Sequence, residues 1–207
     1  MAFTLVADNF QERLNNQLIT STDSAKEILV DRTTENRQFL LQIALASANP
    51  HNGAPPVMDA VVYNDRPGLL QALDPYFRVA LHDTALGIDR LIAFDAHGET
   101  LINFETLPAT TTISATYITN TRQLHLAQTG LFQSMRQDMP EDPSGFSVGE
   151  VQAAILALPS ETDSDVSYVI LAIPIYGNQS PDEQHQFRGG LIIASQLEHL
   201  LEDARTT

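Results

Sequence analysis

The fold is decided by residues 166–195, VSYVILAIPIYGNQSPDEQHQFRGGLIIAS, in which two long apolar runs flank a polar segment. Residues 166–176 and 187–195 are rich in β-branched and large aliphatic side chains, which favour β-strands. The intervening residues 177–186 combine Gly, Pro, Asn and charged side chains and are typical of a loop. Because this connection is short, we expect the two strands to pair antiparallel.

Three further strands are predicted ahead of this pair. Residues 88–94 and 99–104 flank the turn DAHG at 95–98, which predicts a hairpin. Residues 151–158 form another strand, and the polar residues 160–165 separate it from the next one. Five strands joined mainly by short turns favour an antiparallel sheet, and the added helical segments make the fold class α+β.

The first quarter of the chain carries a helical pattern. Residues 3–48 contain neither Gly nor Pro, and apolar side chains recur there every three or four residues until Pro50. One continuous helix of this extent would be roughly 65–70 Å long, so we expect it to project and to pair two chains as a homodimer. The alternatives are two shorter helices that meet at the polar residues 20–24, or a helix that packs only on its own sheet.

Three more helices are expected. One spans about residues 65–86 and ends at Gly87, and Pro75 predicts a break or a kink within it. A short helix is predicted at 122–135, and a terminal helix follows the last strand at 196–203.

The composition excludes several classes of protein. The net charge of −15, from 26 acidic and 11 basic residues, argues against a nucleic-acid binder and against adhesion to an anionic membrane. The absence of cysteine excludes disulfides, thiolate nucleophiles and cysteine-ligated metals. The sequence contains neither an apolar window long enough to span a membrane nor a signal peptide. We therefore expect a soluble polypeptide that is a piece of a longer protein.

Signatures of catalysis and metal binding are weak. The sequence has no Gly-x-Ser-x-Gly motif, no Gly-rich phosphate loop and no His-Glu-x-x-His motif. Asp95 and His97 could share one side of a turn and bind a cation, but an aspartate that accepts bonds from backbone donors is the favoured interpretation. The acidic segments 138–142 and 182–185 are interpreted as solvated loops, with Ca²⁺ binding as the alternative for the first. We expect no catalytic residue, no metal and no cofactor.

Three motifs in order carry a resemblance to a known family. They are the hairpin LIAFDAHGET at 91–100, the strand ending PIY at 174–176, and the strand GLIIAS at 190–195 that leads into a helix. This layout resembles the Cache family of PAS-like extracytoplasmic sensor domains over about residues 55–203. The resemblance implies a single Cache module: a five-stranded antiparallel sheet with a long N-terminal helix and flanking helices.

The resemblance also implies different roles for two parts of the chain. Residues 1–50 would be a signalling and dimerisation helix, and residues 51–207 would be the sensor core with its exit helix. Such a domain lies outside the cytoplasmic membrane, in the periplasm or extracellular space, anchored by flanking helices absent from this sequence. It would bind a small molecule and pass the change to a histidine kinase, nucleotide cyclase, diguanylate cyclase or chemoreceptor.

Two other classes stay open. One is a cytoplasmic PAS- or GAF-like regulatory module that binds a cofactor or a partner protein. A haem or flavin version would need an axial His or a reactive Cys. The chain has no Cys, and of its six His only His125 is considered for this role. The other class is a small acidic hydrolase, against which the missing catalytic motifs argue.

In PAS-like sensors the ligand lies between the sheet and the connection that follows the second strand. The resemblance therefore gives seven candidate ligand-binding residues: Tyr117, Arg122, His125, Phe94, Asn103, Tyr168 and Leu171. Arg122 suits a carboxylate or a phosphate, which predicts a ligand that is polar and anionic. The alternative is that Arg122 and His125 lie on an exposed helix face and that Phe94 and Leu171 belong to the core. The arginine and aromatic pattern of the amino-acid-binding members is absent, so an amino-acid ligand is not expected.

Overall fold

The computed structural model describes residues 31–47, 53, 55–82, 86–106, 117–120, 124–137, 146–159, 165–178 and 186–200 of the 207-residue chain. Helices α1–α5 span residues 31–44, Val57–Val62, Arg66–His82, Gly130–Gln137 and residues 197–200, and a 3₁₀ turn spans Leu126–Gln128. Strands β1–β7 span Arg90–Asp95, Thr100–Thr106, Tyr117–Asn120, Ser147–Val148, Gln152–Pro159, Asp165–Gly177 and Gln186–Gln196.

All described strands join one antiparallel sheet. The order is β3-β2-β1-β7-β6-β4, and β5 pairs with β6 on the edge that β4 also uses. The predicted α+β, PAS-like fold is confirmed, and its five predicted strands correspond to β1, β2, β5, β6 and β7. The short strands β3 and β4 were not predicted and bring the number of described strands to seven, β3 by pairing with β2 and β4 by pairing with β6.

The central strands β1, β2, β6 and β7 are largely buried on both sides, and their residues alternate between the two sides. Leu91 and Ala93 face α1, α2 and α3, and this side is called the helical face. Ile92 and Phe94 face α4 and the 3₁₀ turn, and this side is called the α4 face. Burial on both sides explains why the strand sequences read as continuous apolar runs.

A bulge shifts the register of the β1–β2 hairpin. Ala93 pairs with Ile102 but Phe94 pairs with Thr100, so Leu101 is an extra residue on β2. Both Leu101 and Ile102 therefore lie in the core of the helical face. A β-bulge of this kind changes which side chains of the following strand share a face.

The long N-terminal helix is described from residue 31 onward, and the predicted part at residues 3–30 lies outside the described residues. Helix α1 ends at residue 44, before Pro50, as predicted. Its side chains Leu40 and Ile43 are fully buried in the core of the helical face. No described helix is long and apolar enough to cross a membrane.

Helix α3 contains Pro75 and nevertheless runs continuously from Arg66 to His82, so of the predicted break or kink the break does not occur. Pro75 lies on the exposed side of the helix, where the bulk of the ring does not displace the core. The preceding helix α2 was not predicted, because its six residues are too few for a helical period to stand out.

The predicted helix 122–135 is divided in the structure. The 3₁₀ turn Leu126–Gln128 comes first and α4 follows from Gly130. Thr129 separates them: its Oγ1 accepts the Phe132 amide at 3.2 Å, which caps α4, and donates to Leu126 O at 2.7 Å. The threonine therefore ends one element and starts the next. Of the predicted terminal helix 196–203, residues 197–200 are helical and the rest lies outside the described residues.

Candidate functional site

The predicted site residues lie in different places. Phe94 and Tyr168 are buried on the α4 face, and Asn103 shares that face because it pairs directly with Ile92. Leu171 is buried on the opposite, helical face, so the structure does not bring it to the same site. Leu171 is a core residue, as the alternative interpretation held.

The connection after β2 contributed three further candidates. Tyr117 begins β3 and its backbone pairs with Thr106, but its side chain lies outside the described part of the structure. Arg122 also lies outside the described residues. His125 immediately precedes the 3₁₀ turn and is exposed. Their part in ligand binding stays a prediction.

A buried polar cluster occupies the α4 face beside the predicted site. It consists of Arg90, Glu105 and Tyr168, and is called the polar cluster below. Nη2 of Arg90 donates to Oε1 of Glu105, and Nε donates to the Tyr168 hydroxyl at 3.1 Å. The guanidinium carbon lies 4.7 Å from the centre of the Tyr168 ring, which adds a cation–π contact.

The backbone positions each member of the polar cluster. Arg90 and Glu105 are cross-strand partners at the open end of the β1–β2 hairpin, and Tyr168 lies on β6 opposite Gln196 of β7. Arg90 is fully buried, and the Glu105 side chain is 10% exposed. A charge at this depth is tolerated because it is paired and hydrogen-bonded.

Burial raises the pKa of the Tyr168 phenol, and the nearby Glu105 and Asp89 carboxylates raise it further. Arg90 acts in the opposite direction through its charge and its hydrogen bond. The phenol is therefore neutral at physiological pH, and its hydroxyl can donate while it accepts from Arg90.

Strand β2 is polar on the α4 face although it is buried there. Its residues on this side are Thr100, Asn103 and Glu105, whereas β1, β6 and β7 present mainly apolar side chains to the same face, apart from Arg90 and Tyr168 of the polar cluster. Thr100 Oγ1 accepts the Leu124 amide at 3.3 Å. On β2, polar side chains thus replace the apolar side chains that form the rest of the α4 face.

Aromatic packing fixes α4 over the other half of this face. Phe132 of α4 lies 5.5 Å from Phe187 and 6.1 Å from Phe94, between ring centres. The Tyr176 hydroxyl donates to Met135 O at 2.6 Å, which ties the end of α4 to β6. This half of the face is therefore filled by protein side chains.

Within the described residues, the Asp95 side chain stabilises the turn at 95–98. Asp95 Oδ1 accepts the amides of His97 at 2.8 Å and Glu99 at 2.9 Å. This is the favoured interpretation of Asp95, since its carboxylate is engaged by the backbone. No group of three or more His, Asp or Glu side chains within the described ranges is arranged to hold a metal. The acidic segments 138–142 and 182–185 lie outside those ranges.

The solved structures that are similar to this chain include the two described here, and no family model or curated protein matches the chain. One is a domain assigned to a sensory box/GGDEF family protein of Vibrio parahaemolyticus. It is 12% identical with a TM-score of 0.45, over 92% of this chain and 61% of that one. The other is the extracellular domain assigned to the histidine kinase vpHK1S-Z8. It is 13% identical with a TM-score of 0.42, over 87% of this chain and 60% of that one. The chain thus spans about three fifths of each.

Proposed function

We propose that this chain is the extracytoplasmic sensor domain of a membrane-bound signalling receptor and that it binds a small polar molecule on the α4 face. The observation that carries the proposal is the polar lining of β2, where Thr100, Asn103 and Glu105 are buried beside Arg90. The Cache-like order of motifs supplies the receptor context. The chain itself would have no catalytic activity.

The energetics support a binding role for these residues. A buried ion pair is weak evidence for stability, because well-packed apolar residues of similar volume often stabilise a protein at least as well. On the same face β1 otherwise carries Ile92 and Phe94, and the neighbouring strand β7 carries Ile192 and Ala194. A function that needs a guanidinium and a carboxylate at this position accounts for a pair that stability alone does not require.

The chemistry of the lining favours a ligand with hydrogen-bond acceptors. The Arg90 guanidinium has five N–H donors, the Asn103 amide offers both a donor and an acceptor, and the Tyr168 hydroxyl can donate. A carboxylate or phosphate on the ligand would share Arg90 with Glu105 through charge-assisted bonds. The predicted contributions of Arg122, His125 and Tyr117 from the connection after β2 belong to the same proposal.

In the proposed receptor, the effect of ligand binding leaves the sensor domain through the helices at its two ends. Ligand binding would shift the balance between two arrangements of the sheet and the helices, to the extent that the ligand binds one of them better. The output would be a histidine kinase, a cyclase, a diguanylate cyclase or a chemoreceptor, reached through flanking transmembrane helices. A homodimer formed through the N-terminal helix is part of the proposal.

Native mass spectrometry of the gently purified chain tests the binding site. We expect an additional mass that disappears on denaturation, and we expect Asn103→Leu to lose it while keeping the fold by circular dichroism. Ile155→Thr is the control, because Ile155 is 64% exposed on β5, at a distance from the polar lining. If the additional mass is absent, a thermal-shift screen with small carboxylates and phosphates replaces it. An equal response of Asn103→Leu and the parent chain in either assay would contradict this site.

A further inference from the structure

We infer that Asp89 couples the polar cluster to the start of the C-terminal helix α5, and that residues 86–89 form the coupling segment between α1, the cluster and α5. This inference rests on the proposed function, because it concerns how occupation of the site reaches the end of the chain. Asp89 is a positioning residue in this scheme and does not contact the ligand.

The first half of the coupling segment is held by α1. Nδ2 of Asn36 donates to Leu86 O at 3.0 Å, and Asn36 is 5% exposed. Gly87 has a φ of +55°, and a Cβ there would lie 3.0 Å from Nη1 of Arg32. The positive φ favours glycine at this position, and the Asn36–Leu86 hydrogen bond ties the segment to α1.

The second half of the segment is held by the start of α5. Oδ2 of Asp89 accepts the backbone amide of Gln196 at 2.6 Å, and Oδ1 lies 3.3 Å from Nδ1 of His199. The Asp89 backbone also belongs to the sheet, since its amide donates to Ala194 O at 2.9 Å and its carbonyl accepts the Thr106 amide at 3.0 Å. Asp89 thus joins β2, β7 and α5 at one point.

The polar cluster is linked to Asp89 and Gln196 in two ways. Arg90 follows Asp89 directly in the chain, and successive residues of an extended strand point to opposite faces. Tyr168 is the cross-strand partner of Gln196, whose amide Asp89 holds. A ligand that draws Arg90 away from Glu105 or Tyr168 would therefore act on both ends of the Asp89–Gln196 hydrogen bond.

The packing between α1, the sheet and α5 is incomplete at one point. A cavity with room for about one water molecule lies there, lined among others by Arg32, Asn36, Ser195 and Leu200. Oδ1 of Asn36 is buried and meets no hydrogen-bond donor among the described residues. The contact between α5 and α1 is therefore packed less tightly than the filled core around it.

Hydrogen exchange on the 207-residue chain tests the coupling without any ligand. Glu105→Gln perturbs the charge that faces Arg90, and Glu99→Gln is the matched control because Glu99 is exposed in the hairpin turn. Because Glu105→Gln also lowers the global stability, the change in protection of the 196–200 amides is compared with the change at the β5 amides. We expect the two changes to differ by about threefold or more in Glu105→Gln and to be equal in Glu99→Gln. Tyr168→Phe provides a second perturbation of the cluster if Glu105→Gln fails to fold.

Substitution of Asp89 distinguishes an effect transmitted through Asp89 from a general loss of stability in the cluster variants. In an Asp89→Ala background we expect the response of the 196–200 amides to Glu105→Gln to disappear. We expect Asp89→Asn to restore part of it, because a carboxamide oxygen still accepts the Gln196 amide. An undiminished response in Asp89→Ala, or no response in any folded cluster variant, would overturn the inference.

The result of the hydrogen-exchange experiment does not depend on the result of the ligand-binding experiment. A chain that shows the coupling but binds no small molecule contradicts the proposed function and leaves Asp89 as a structural link. A chain that binds its ligand but shows no coupling contradicts this inference alone. Where both hold, Asp89→Ala should retain the ligand affinity of the parent chain and lose the effect of the ligand on the 196–200 amides.

Discussion

Arg90 and Tyr168 are 78 positions apart in the chain, yet Nε of Arg90 donates to the Tyr168 hydroxyl at 3.1 Å in a fully buried environment. The contact joins the first strand of the sheet to the sixth across β7. It places one guanidinium, one carboxylate and one phenol on the side of the sheet where the ligand is proposed to bind. The predictions below follow from this cluster, from its connection to α5 and from the β1–β7 ladder beside it.

Breaking the buried ion pair should destabilise the domain strongly. Replacing Glu105 with Gln leaves the Arg90 charge buried without its counter-charge, and such changes typically cost about 3–5 kcal/mol. The combined change Arg90→Met with Glu105→Leu should cost clearly less than the single change, because it removes both charges. Urea unfolding followed by circular dichroism gives the free energies.

The exposed pair Asp74–Arg78 on α3 is the matched control for that experiment. Its side chains are 27% and 62% exposed, so Asp74→Asn should leave the free energy of unfolding unchanged within error. A Glu105→Gln variant as stable as Asp74→Asn would show that the buried pair is energetically unimportant.

Tyr168 should ionise later than an ordinary tyrosine. Burial raises the pKa of its phenol above the usual 10.0, so the folded state holds the proton longer than the unfolded state does. The stability linked to this group is complete below pH 10.0 and is lost as the pH rises through the raised pKa. The chain has five Tyr and no Trp, so tyrosinate absorbance reports the titration without interference.

Tyr168→Phe should remove one late-titrating group from the absorbance curve and shift alkaline unfolding to higher pH. Tyr63→Phe is the control, since Tyr63 is 56% exposed. If the late part of the curve is the same in Tyr168→Phe as in the parent chain, the phenol is not buried against Arg90.

As the pH rises from acid to neutral, the parent chain should lose stability relative to the Asp89→Asn variant. Burial raises the pKa of its carboxyl above the ordinary 3.8, although the Gln196 amide, His199 and Arg90 lower it in part. The folded state therefore keeps the proton where the unfolded state has lost it. The stability contributed by the buried, protonated carboxyl is present below pH 3.8 and is lost as the pH rises through the raised pKa.

Free energies of unfolding for the parent chain and Asp89→Asn over that pH range measure this difference. Carrying His199→Gln in both chains removes the titration of the neighbouring imidazole. A difference that stays constant with pH, or that grows in favour of Asp89 toward neutral pH, would contradict a raised pKa for the Asp89 carboxyl.

Gly189 should not tolerate a side chain. It has a φ of +131°, and a Cβ there would lie 2.1 Å from Phe94 O, within the β1–β7 ladder. Gly189→Ala should cost more than the roughly 1–3 kcal/mol of an isolated strained backbone conformation, since the clash adds to it. Gly130→Ala is the control: a Cβ at that position would meet nothing within 4 Å, and the variant should be equally stable or slightly more stable.

The five long strands could be predicted from their apolar runs, which in β1, β6 and β7 follow from burial on both faces. Phe94, Asn103 and Tyr168 do lie on one face of the sheet, and their part in ligand binding stays a prediction. The pairing of Arg90 with Glu105 was missed, because it depends on the bulge in β2. From the Phe94–Thr100 pair, a regular hairpin would place Phe104 opposite Arg90, and one extra residue brings Glu105 there instead.

The edge strands and α2 were missed for a different reason. Strand β4 has two residues and β3 has four, and such short pieces are placed by backbone pairing with β6 and β2. Their side-chain pattern is too short to distinguish a strand from a loop. The tertiary structure supplies this information, and a single sequence does not contain it.

Residues 32 and 200 line the same cavity, so the first described helix and the last lie side by side at one end of the sheet. A domain with this geometry can be inserted into another protein without separating the two segments that flank it. The same core could thus be carried by many different hosts, each requiring only a pair of neighbouring attachment points. Modularity of this kind is a property of where α1 and α5 meet, and it is independent of what the α4 face binds.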